Sequence, residues 1–236
     1  MRYGLLIAVE RELKAFLESG ETITEERVCG RTVYRTRIGG HEIYALCSGC
    51  GEIDAAAGTQ LLLAKYECEA ILNFGVTGAL DPALRVEDLF VVRKVRHYDF
   101  DTSAVDDVVP NQYEDLPDAF IPLDEDLIRR AKAAAPELRE TVCASGDRFI
   151  AGREEKIQLR EKGCQICDME IAGIARVCRT CGVPCLSIKC ISDTFEGGAG
   201  DFNTNVGRSA RAAFRVLREV LENERNSSCP PGRLMI

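Results

Sequence analysis

Three acidic side chains lie where apolar, strand-like runs of the sequence give way to helical patterns. Glu12, Glu170 and Asp193 each follow or close such a run. Carboxyl groups can act as general acids or general bases when their environments differ. Taken singly, each has a structural explanation, because helix dipoles favour acids in a first turn and aspartate is a common cap. Ligands of parallel α/β sheets bind beyond the carboxyl ends of the strands, so we expect the three side chains to gather at one edge.

Two glycine-bearing turns follow strand-like runs in the same way. They read Ser48-Gly-Cys-Gly51 and Gly75-Val-Thr-Gly78. Glycines are common in strand-to-helix turns, so neither turn is specific by itself. Together with the three carboxylates they predict a binding site at the edge of a sheet.

Several other chemistries are disfavoured because the sequence has few of the residues or motifs that they require. Its only histidines are His41 and His97, which gives little basis for a histidine-dependent triad. A phosphate-binding GxxxxGK[ST] loop is missing, and the turn at residues 48–51 lacks the third glycine of a dinucleotide fingerprint. We expect no cofactor.

The twelve cysteines are predicted to be reduced thiols. Three CxxC spacings occur, at Cys47/Cys50, Cys164/Cys167 and Cys178/Cys181. A zinc site is one interpretation of the last two pairs. Because those cysteines fall on a predicted strand and within a predicted helix, we favour buried apolar side chains and expect no metal. The apolar residues 1–9 are too short for an export signal, which predicts a cytoplasmic protein.

Charge and hydropathy exclude two classes of partner. The net charge is −8 and no basic stripe interrupts it, so we expect no nucleic-acid binding. No run approaches the roughly 18 apolar residues that a membrane span requires, so we expect no membrane partner.

Strand-like runs alternate with helical periods along most of the chain. The pattern predicts a single α/β domain over residues 1–224, with a central mixed β-sheet and helices on both faces. Residues 225–236 contain Pro-Pro-Gly and are predicted to form a flexible tail. Residues 97–123 have little periodicity, which favours a lid or a binding loop. One helical face is predicted from Ile53, Ala57, Leu61 and Ala64.

Six segments together resemble a known family. They are residues 4–12, 48–51, 73–78, 145–150, 168–170 and 191–193, and the resemblance extends from Met1 to about Leu221. The chain resembles the 5′-methylthioadenosine/S-adenosylhomocysteine nucleosidases of the purine nucleoside phosphorylase superfamily. The resemblance implies a nucleoside phosphorylase-like fold, hydrolysis of a purine N-glycosidic bond, a purine nucleoside as small-molecule partner, and a homodimer.

The resemblance also implies roles for individual residues. Glu12 would be the general base for water, Asp193 would protonate the purine N7, and Glu170 would bind the ribose 2′-hydroxyl. The other expected substrate-site residues are Met169 against the sugar, Phe149 stacked on the base, Ile150 offering backbone hydrogen bonds, Ser192 orienting Asp193, and Cys50, Val76 and Lys189.

Hydrolysis is favoured over phosphorolysis. Phosphorylases of the superfamily carry a Gly-Asp-Pro-x-Arg segment after the opening strand, where this chain has Val9-Glu-Arg-Glu12. A carboxylate at that place would repel phosphate and suits water activation, while Arg11 is expected to point outward.

Three departures from the family leave the 5′ substituent of the nucleoside open. Val76 stands where a serine is usual, Lys189 where an arginine is usual, and residues 101–107 contain no aromatic side chain. The alternative is a related purine nucleosidase or phosphorylase acting on futalosine, inosine or adenosine. A non-catalytic nucleoside-binding protein is a third hypothesis, which the three carboxylates disfavour.

Overall fold

The computed structural model describes residues 1–223, and its elements alternate between strands and helices. The strands are β1 Arg2–Ile7, β2 Thr24–Val28, β3 Arg31–Ile38, β4 His41–Cys47, β5 Ala70–Ala79, β6 Leu89–His97, β7 Ile121–Pro122, β8 Arg139–Ser145, β9 Ile166–Asp168 and β10 Cys185–Asp193. The helices are α1 Glu10–Leu17, α2 Glu52–Tyr66, α3 Glu125–Ala134, α4 Arg153–Glu161, α5 Ile171–Cys181 and α6 Ala199–Asn223. The predicted single α/β domain with a mixed sheet is confirmed over these residues, and the predicted tail at 225–236 lies outside them.

The strands form one mixed sheet that closes on itself at one end. Its order is β10-β6-β8-β9-β5-β1-β4-β3-β2, and β10 also pairs with β5. β5, β10, β6, β8 and β9 therefore make a closed ring, and β1 to β4 extend from it as an open sheet. β3 and β4 form an antiparallel hairpin that turns at Gly39-Gly40.

Two strands of the ring, β10 and β5, are buried on both sides. β10 is buried at every position and β5 at all positions but Val76. A strand covered on both faces reads as a continuous apolar run, which explains why both were recognisable in the sequence. The long helix α6 packs on β10 and β5 with a buried stripe that includes Val206, Ala210 and Leu217.

The face of α2 that was predicted to be buried is largely its exposed face in the structure. Ile53 is 81% exposed, and Ala57 and Ala64 are also exposed. The buried face instead carries the residues Glu52, Ala55, Gly58, Thr59, Leu62 and Tyr66. Because α2 has small or apolar side chains all around, hydropathy alone could not tell the buried face from the outer one.

Three elements were absent from the predicted pattern. β2 has the sequence Thr-Glu-Glu-Arg-Val and lies at the sheet edge, where polar side chains can stay in water. α4 has a largely charged sequence, and β7 has only two residues. None of them carries the apolar alternation on which the sequence prediction relied.

The segment at residues 98–120 contains no helix or strand, as its weak periodicity predicted. Contacts between aromatic side chains and His97 fix the part of this segment nearest the sheet. Phe100 and Tyr113 stack at 4.1 Å, and the Tyr113 hydroxyl lies 2.7 Å from Nδ1 of His97. Its outer part carries Val105 and Val109, which are 85% and 56% exposed. Among residues 1–223, no helix has the length and apolar character to cross a bilayer.

Candidate active site

Glu12 projects from the first turn of α1 onto the central strand β5. Its side chain is buried, and Oε1 accepts a hydrogen bond from the backbone N–H of Val76 at 2.8 Å. Oε2 accepts bonds from the N–H groups of Ala8 and Val9, both at 3.2 Å. Burial raises the pKa of Glu12, and the charge of Lys189 and these three donors oppose that rise. The arrangement holds a buried carboxylate that accepts only, which suits a base.

Glu170 lies two residues after the end of β9. β9 is parallel to β8 and antiparallel to β5, so Glu170 follows the carboxyl end of a strand that has one parallel neighbour. Glu170 accepts hydrogen bonds from the N–H groups of Gly51 at 3.3 Å and Met169 at 3.2 Å. The first of these bonds ties Glu170 to the predicted glycine turn.

Burial raises the pKa of Glu170 to about 7. The neighbouring charge of Asp168 adds to the rise, while Lys189 opposes it. The two ionisation states of Glu170 are therefore both accessible near neutral pH.

Asp193 closes β10 and is held by its own neighbour. The Ser192 hydroxyl donates to Oδ1 of Asp193 at 2.8 Å, and Asn205 donates to the Ser192 carbonyl at 2.9 Å. Burial raises the pKa of Asp193, and the bond from Ser192 and the charge of Lys156 oppose the rise. A carboxyl group with a raised pKa can keep the proton that a general acid must deliver.

Two glycines on β5 make room for the acid and the base. A Cβ atom on Gly75 would lie 2.5 Å from Oε1 of Glu12, and one on Gly78 would lie 2.8 Å from Oδ2 of Asp193. The glycines are three residues apart, which is roughly 10 Å along an extended strand. The prediction of a turn at residues 75–78 is wrong, because these residues continue β5. The two carboxyl groups pack against β5 at separate positions, and glycine is needed at both because a side chain there would clash with them.

Lys189 is buried among several carboxylates, and its ion-pair partner is Asp168. Its side chain is 2% exposed, and Nζ forms an ion pair with Oδ2 of Asp168 at 2.7 Å. Burial alone would lower its pKa, but Asp168, Glu170 and Glu12 together raise it. Lys189 is thus the cation that offsets several buried carboxylates, and its nearest partner is Asp168.

Lys156 lies near the site, although the sequence analysis did not identify it. Lys156 of α4 is fully buried, and Nζ donates to the carbonyls of Thr194 at 2.9 Å, Phe195 at 3.1 Å and Gly197 at 3.1 Å. This cage holds the turn that follows Asp193. The only signal in the sequence was a lysine within a charged helix, which usually indicates exposure.

The other predicted site residues differ in how much of each side chain is exposed to solvent. Phe149 is 45% exposed and meets Phe202 edge to face at 5.8 Å. Ile150 is buried, while Met169 and Val76 are partly buried. The Phe149 ring is therefore an accessible apolar surface within the 145–150 segment.

Cys50 lies in the turn between β4 and α2. Gly49 and Gly51 on either side of it have φ values of +99° and +102°, which favour glycine. Burial raises the pKa of the Cys50 thiol to about 11, and the charges of Glu170 and Glu12 add to the rise. A thiol in such surroundings stays protonated and is a poor nucleophile.

A cavity of about 550 Å³ opens beside the α1 turn. Its wall includes Val9 and Cys50 and three guanidinium groups, from Arg11, Arg27 and Arg31. None of the three predicted catalytic carboxylates lines it. Arg11 is exposed, as predicted, and bonds to Asn203 at 3.0 Å.

The cysteine pairs have separate surroundings. Cys164 and Cys167 pack in a small apolar cluster, whereas Cys178 is hydrogen-bonded to Cys185. Within residues 1–223, no group of three or more histidine, cysteine, aspartate or glutamate side chains is arranged to hold a metal ion.

The chain belongs to the phosphorylase superfamily, whose family model matches residues 2–222. Within it, the chain is 32% identical over 200 residues to the 5′-methylthioadenosine/S-adenosylhomocysteine nucleosidase of Tolumonas auensis, covering 82% of this chain and 86% of that protein. It is 29% identical over 228 residues to the aminodeoxyfutalosine nucleosidase of Campylobacter jejuni, covering 94% and 99%.

The fold also matches a solved nucleosidase. The 5′-methylthioadenosine/S-adenosylhomocysteine nucleosidase of Helicobacter pylori, solved in complex with a substituted pyrrolidin-3-ol, superimposes with a TM-score of 0.88 at 28% identity, covering 94% of this chain and 98% of that one. The predicted family and enzyme class, a purine nucleosidase, are confirmed by these relatives.

Proposed function

We propose that the protein hydrolyses the N-glycosidic bond of 5′-methylthioadenosine and S-adenosylhomocysteine, releasing adenine and the 5-thioribose. The observation that carries the proposal is the placement of Glu12 and Asp193 at two glycines of one strand, each buried and each with a raised pKa. The relatives named above support the substrate class.

The reaction needs one proton donor and one proton acceptor. Asp193 gives its proton to N7 of the purine as the bond between C1′ and N9 breaks and its electron pair moves into the base. A water molecule adds to C1′ of the oxocarbenium-like sugar and loses its proton to Glu12. Separate positions for acid and base, with room for water, follow the logic of inverting glycosidases.

The other site residues bind and orient the nucleoside in this proposal. Glu170 accepts a hydrogen bond from the ribose 2′-hydroxyl, and Met169 lies against the sugar. The accessible Phe149 ring stacks on the base, and Ile150 offers backbone hydrogen bonds. Cys50 and Val76 border the ribose, and Ser192 keeps Asp193 in place.

Lys189 acts on the site through its charge in this proposal rather than by touching the substrate. It is buried and paired with Asp168. From there it lowers the pKa values of Glu12 and Glu170. The proposed role differs from that of a substrate-binding arginine, whose planar fork Lys189 lacks.

Water is the proposed nucleophile because the place for phosphate is anionic. The buried Glu12 carboxylate already takes the backbone N–H groups of Ala8, Val9 and Val76. Those donors are therefore not free to bind an anion, and a second negative charge against Glu12 would be unfavourable.

A second candidate substrate is aminodeoxyfutalosine. One relative with nearly full-length coverage is a nucleosidase for it. The cavity beside Val9 and Cys50 is lined by Arg11, Arg27, Arg31 and Glu10, which offer polar contacts to a polar 5′ substituent.

The test is a base-release assay on purified protein with and without phosphate. The panel comprises methylthioadenosine, adenosylhomocysteine, aminodeoxyfutalosine, futalosine, inosine and adenosine. We expect release of adenine from the first two at a rate independent of phosphate, with free 5-thioribose as the second product. Strict dependence on phosphate would instead identify a phosphorylase, and turnover of aminodeoxyfutalosine alone would select the second candidate.

We also infer a homodimer, located in the cytoplasm. Ile53 on α2 and Val105 and Val109 on the 98–120 segment are exposed large apolar side chains, which a partner subunit would cover. The free cysteines of residues 1–223 are compatible with a reducing compartment.

Light scattering of the Ile53→Glu variant tests the dimer. We expect wild-type dimers and Ile53→Glu monomers. Ile157→Glu is the matched control, because Ile157 is a partly exposed isoleucine on α4 and should leave the dimer intact. A wild-type monomer would refute the inference.

A further inference from the structure

A buried hydroxyl group lies between two carboxyl groups outside the proposed catalytic set. Oγ of Ser145, which is fully buried, is 2.5 Å from Oε1 of Glu52 and 2.6 Å from Oδ1 of Asp168. The same oxygen accepts a hydrogen bond from the N–H of Ala172 at 3.2 Å. A hydroxyl has one proton and can satisfy only one of two carboxylates. The other carboxyl group must therefore bring a proton of its own.

The surroundings decide which of the two is protonated. Oδ2 of Asp168 is ion-paired with Lys189 at 2.7 Å, and protonating Asp168 would weaken the pairing of a buried cation. Among residues 1–223, no cationic side chain is paired with Glu52. Its Oε2 accepts a short bond, 2.5 Å, from the N–H of Gly173, which leaves Oε1 to carry a proton.

We propose that Glu52 is a neutral carboxylic acid that donates to Ser145, which in turn donates to Asp168 and so positions the Met169-Glu170 turn. Each atom in the chain then has a matching partner. Glu52 donates through Oε1 and accepts through Oε2, Ser145 accepts from Glu52 and Ala172 and donates to Asp168, and Asp168 pairs with Lys189. Glu52 is a positioning residue, because it touches the proposed ribose ligand Glu170 only through this chain.

The charged groups around Glu52 agree with a neutral state. Asp168 on β9 and Glu170 at the start of α5 face it with negative charge, and Asp147 accepts its backbone N–H at 2.7 Å. Tyr113 of the 98–120 segment also lies within electrostatic range. The positive Lys189 lies beyond Asp168. Burial and the charge of Asp168 raise the pKa of Glu52 to about 8.

Ionisation of Glu52 at alkaline pH removes a donor that this network needs. Ser145 would then face two carboxylates with one proton, and Asp168 or Glu52 would lose its hydrogen bond. The added negative charge would also raise the pKa of the nearby Glu170. The site should therefore loosen as pH rises through about 8.

The test compares Glu52→Gln with the wild type, and Asp54→Asn is the matched control. The amide introduced by Glu52→Gln would keep a donor and an acceptor but cannot ionise, whereas Asp54 is a half-exposed acid in the same helical turn. Infrared difference spectra at pH 7 should show a protonated-carboxyl component that is lost in Glu52→Gln and kept in Asp54→Asn, in addition to the component from Asp193, which all three proteins retain. This readout does not require a substrate, so it stands even if the proposed function, on which the kinetic test rests, fails.

The kinetic test uses the pH profile of kcat/KM. We expect a decline above about pH 8 in the wild type and in Asp54→Asn that is absent from Glu52→Gln. Glu52→Gln should remain within about tenfold of the wild type at pH 7, and Ser145→Ala should lose more than about tenfold, since it leaves buried polar groups unpaired. A protonated-carboxyl signal as large in Glu52→Gln as in the wild type, or an unchanged alkaline limb in an active Glu52→Gln, would overturn the proposal. Thermal unfolding of each variant separates these outcomes from failure to fold.

Discussion

The backbone N–H of Val76 donates to the carboxylate of Glu12 at 2.8 Å, joining the first helical turn to the central strand. The carboxylate of Glu12 is thus positioned by backbone groups alone, because Ala8 and Val9 supply its other two bonds.

Replacing Glu12 by Gln should remove catalysis and cost some stability. We expect kcat to fall by about 10²–10⁴-fold, the usual contribution of a general base. The amide NH₂ would face at least one of three backbone donors, so the free energy of unfolding should fall by about 1–3 kcal/mol. Steady-state adenine release and urea denaturation measure the two effects.

The control is Glu10→Gln, two residues earlier in the same turn, where the side chain is exposed. That variant should keep the activity and the stability of the wild type. Full activity in Glu12→Gln would contradict the assignment of the base.

Replacing Asp193 by Asn should block protonation of the leaving purine while leaving binding largely intact. We expect kcat to fall by about 10²–10⁴-fold with little change in KM. Ser192→Ala removes the 2.8 Å bond to Asp193 and should have a smaller effect, about 2–10-fold. Equal losses in the two variants would argue that Asp193 acts only as a structural partner of Ser192.

The ionisation of Glu170 should produce an acidic limb in the pH profile. With a pKa of about 7, Glu170 loses its charge as pH falls, and KM should rise below that pH because a neutral acid is a weaker acceptor. Glu170→Gln should abolish this pH dependence and lower kcat/KM by roughly 10–100-fold at pH 8. An acidic limb that persists unchanged in Glu170→Gln would assign it to another group.

The raised pKa of Glu170 also predicts how the free energy of unfolding depends on pH. The folded pKa of about 7 is above the ordinary value of 4.5, so the folded state holds an extra proton between these values. The contribution of Glu170 to stability is therefore complete below pH 4.5 and is lost as pH rises to about 7, with a slope of at most about 1.4 kcal/mol per unit. Urea denaturation of wild type and Glu170→Gln should show the variant with the flatter curve over this range.

Replacing Lys156 by Met should destabilise the turn after Asp193. Three carbonyl groups, of Thr194, Phe195 and Gly197, would lose their buried donor, which should cost at least about 2 kcal/mol in unfolding free energy. Loss of the positive charge should also raise the pKa of Asp193 further, because the charge of Lys156 lowers it.

Lys162→Met is the matched control, because Lys162 follows the same helix and is exposed. It should change neither the stability nor the pH profile. A Lys156→Met protein as stable as this control would show that the carbonyl cage contributes little.

The order of residues along the chain determined much of this protein. Buried strands such as β5 and β10 were readable because continuous apolar runs of that length suit strands covered on both faces. Glu12, Glu170 and Asp193 were identifiable because each follows or ends such a run, and the six family-like segments predicted the enzyme class that the relatives support.

Tertiary structure alone decided which polar groups meet. The ring closure of the sheet turns β9 against β5, and this brings Glu170 to Gly51 across 119 residues of sequence. Lys156 and Glu52 gave no local signal, since charged residues in helices are usually solvated and only long-range packing buries them. For the same reason the outward face of α2 was mistaken for its inner one. Hydropathy records what a side chain is made of, whereas its partners are set by contacts between segments far apart in the chain.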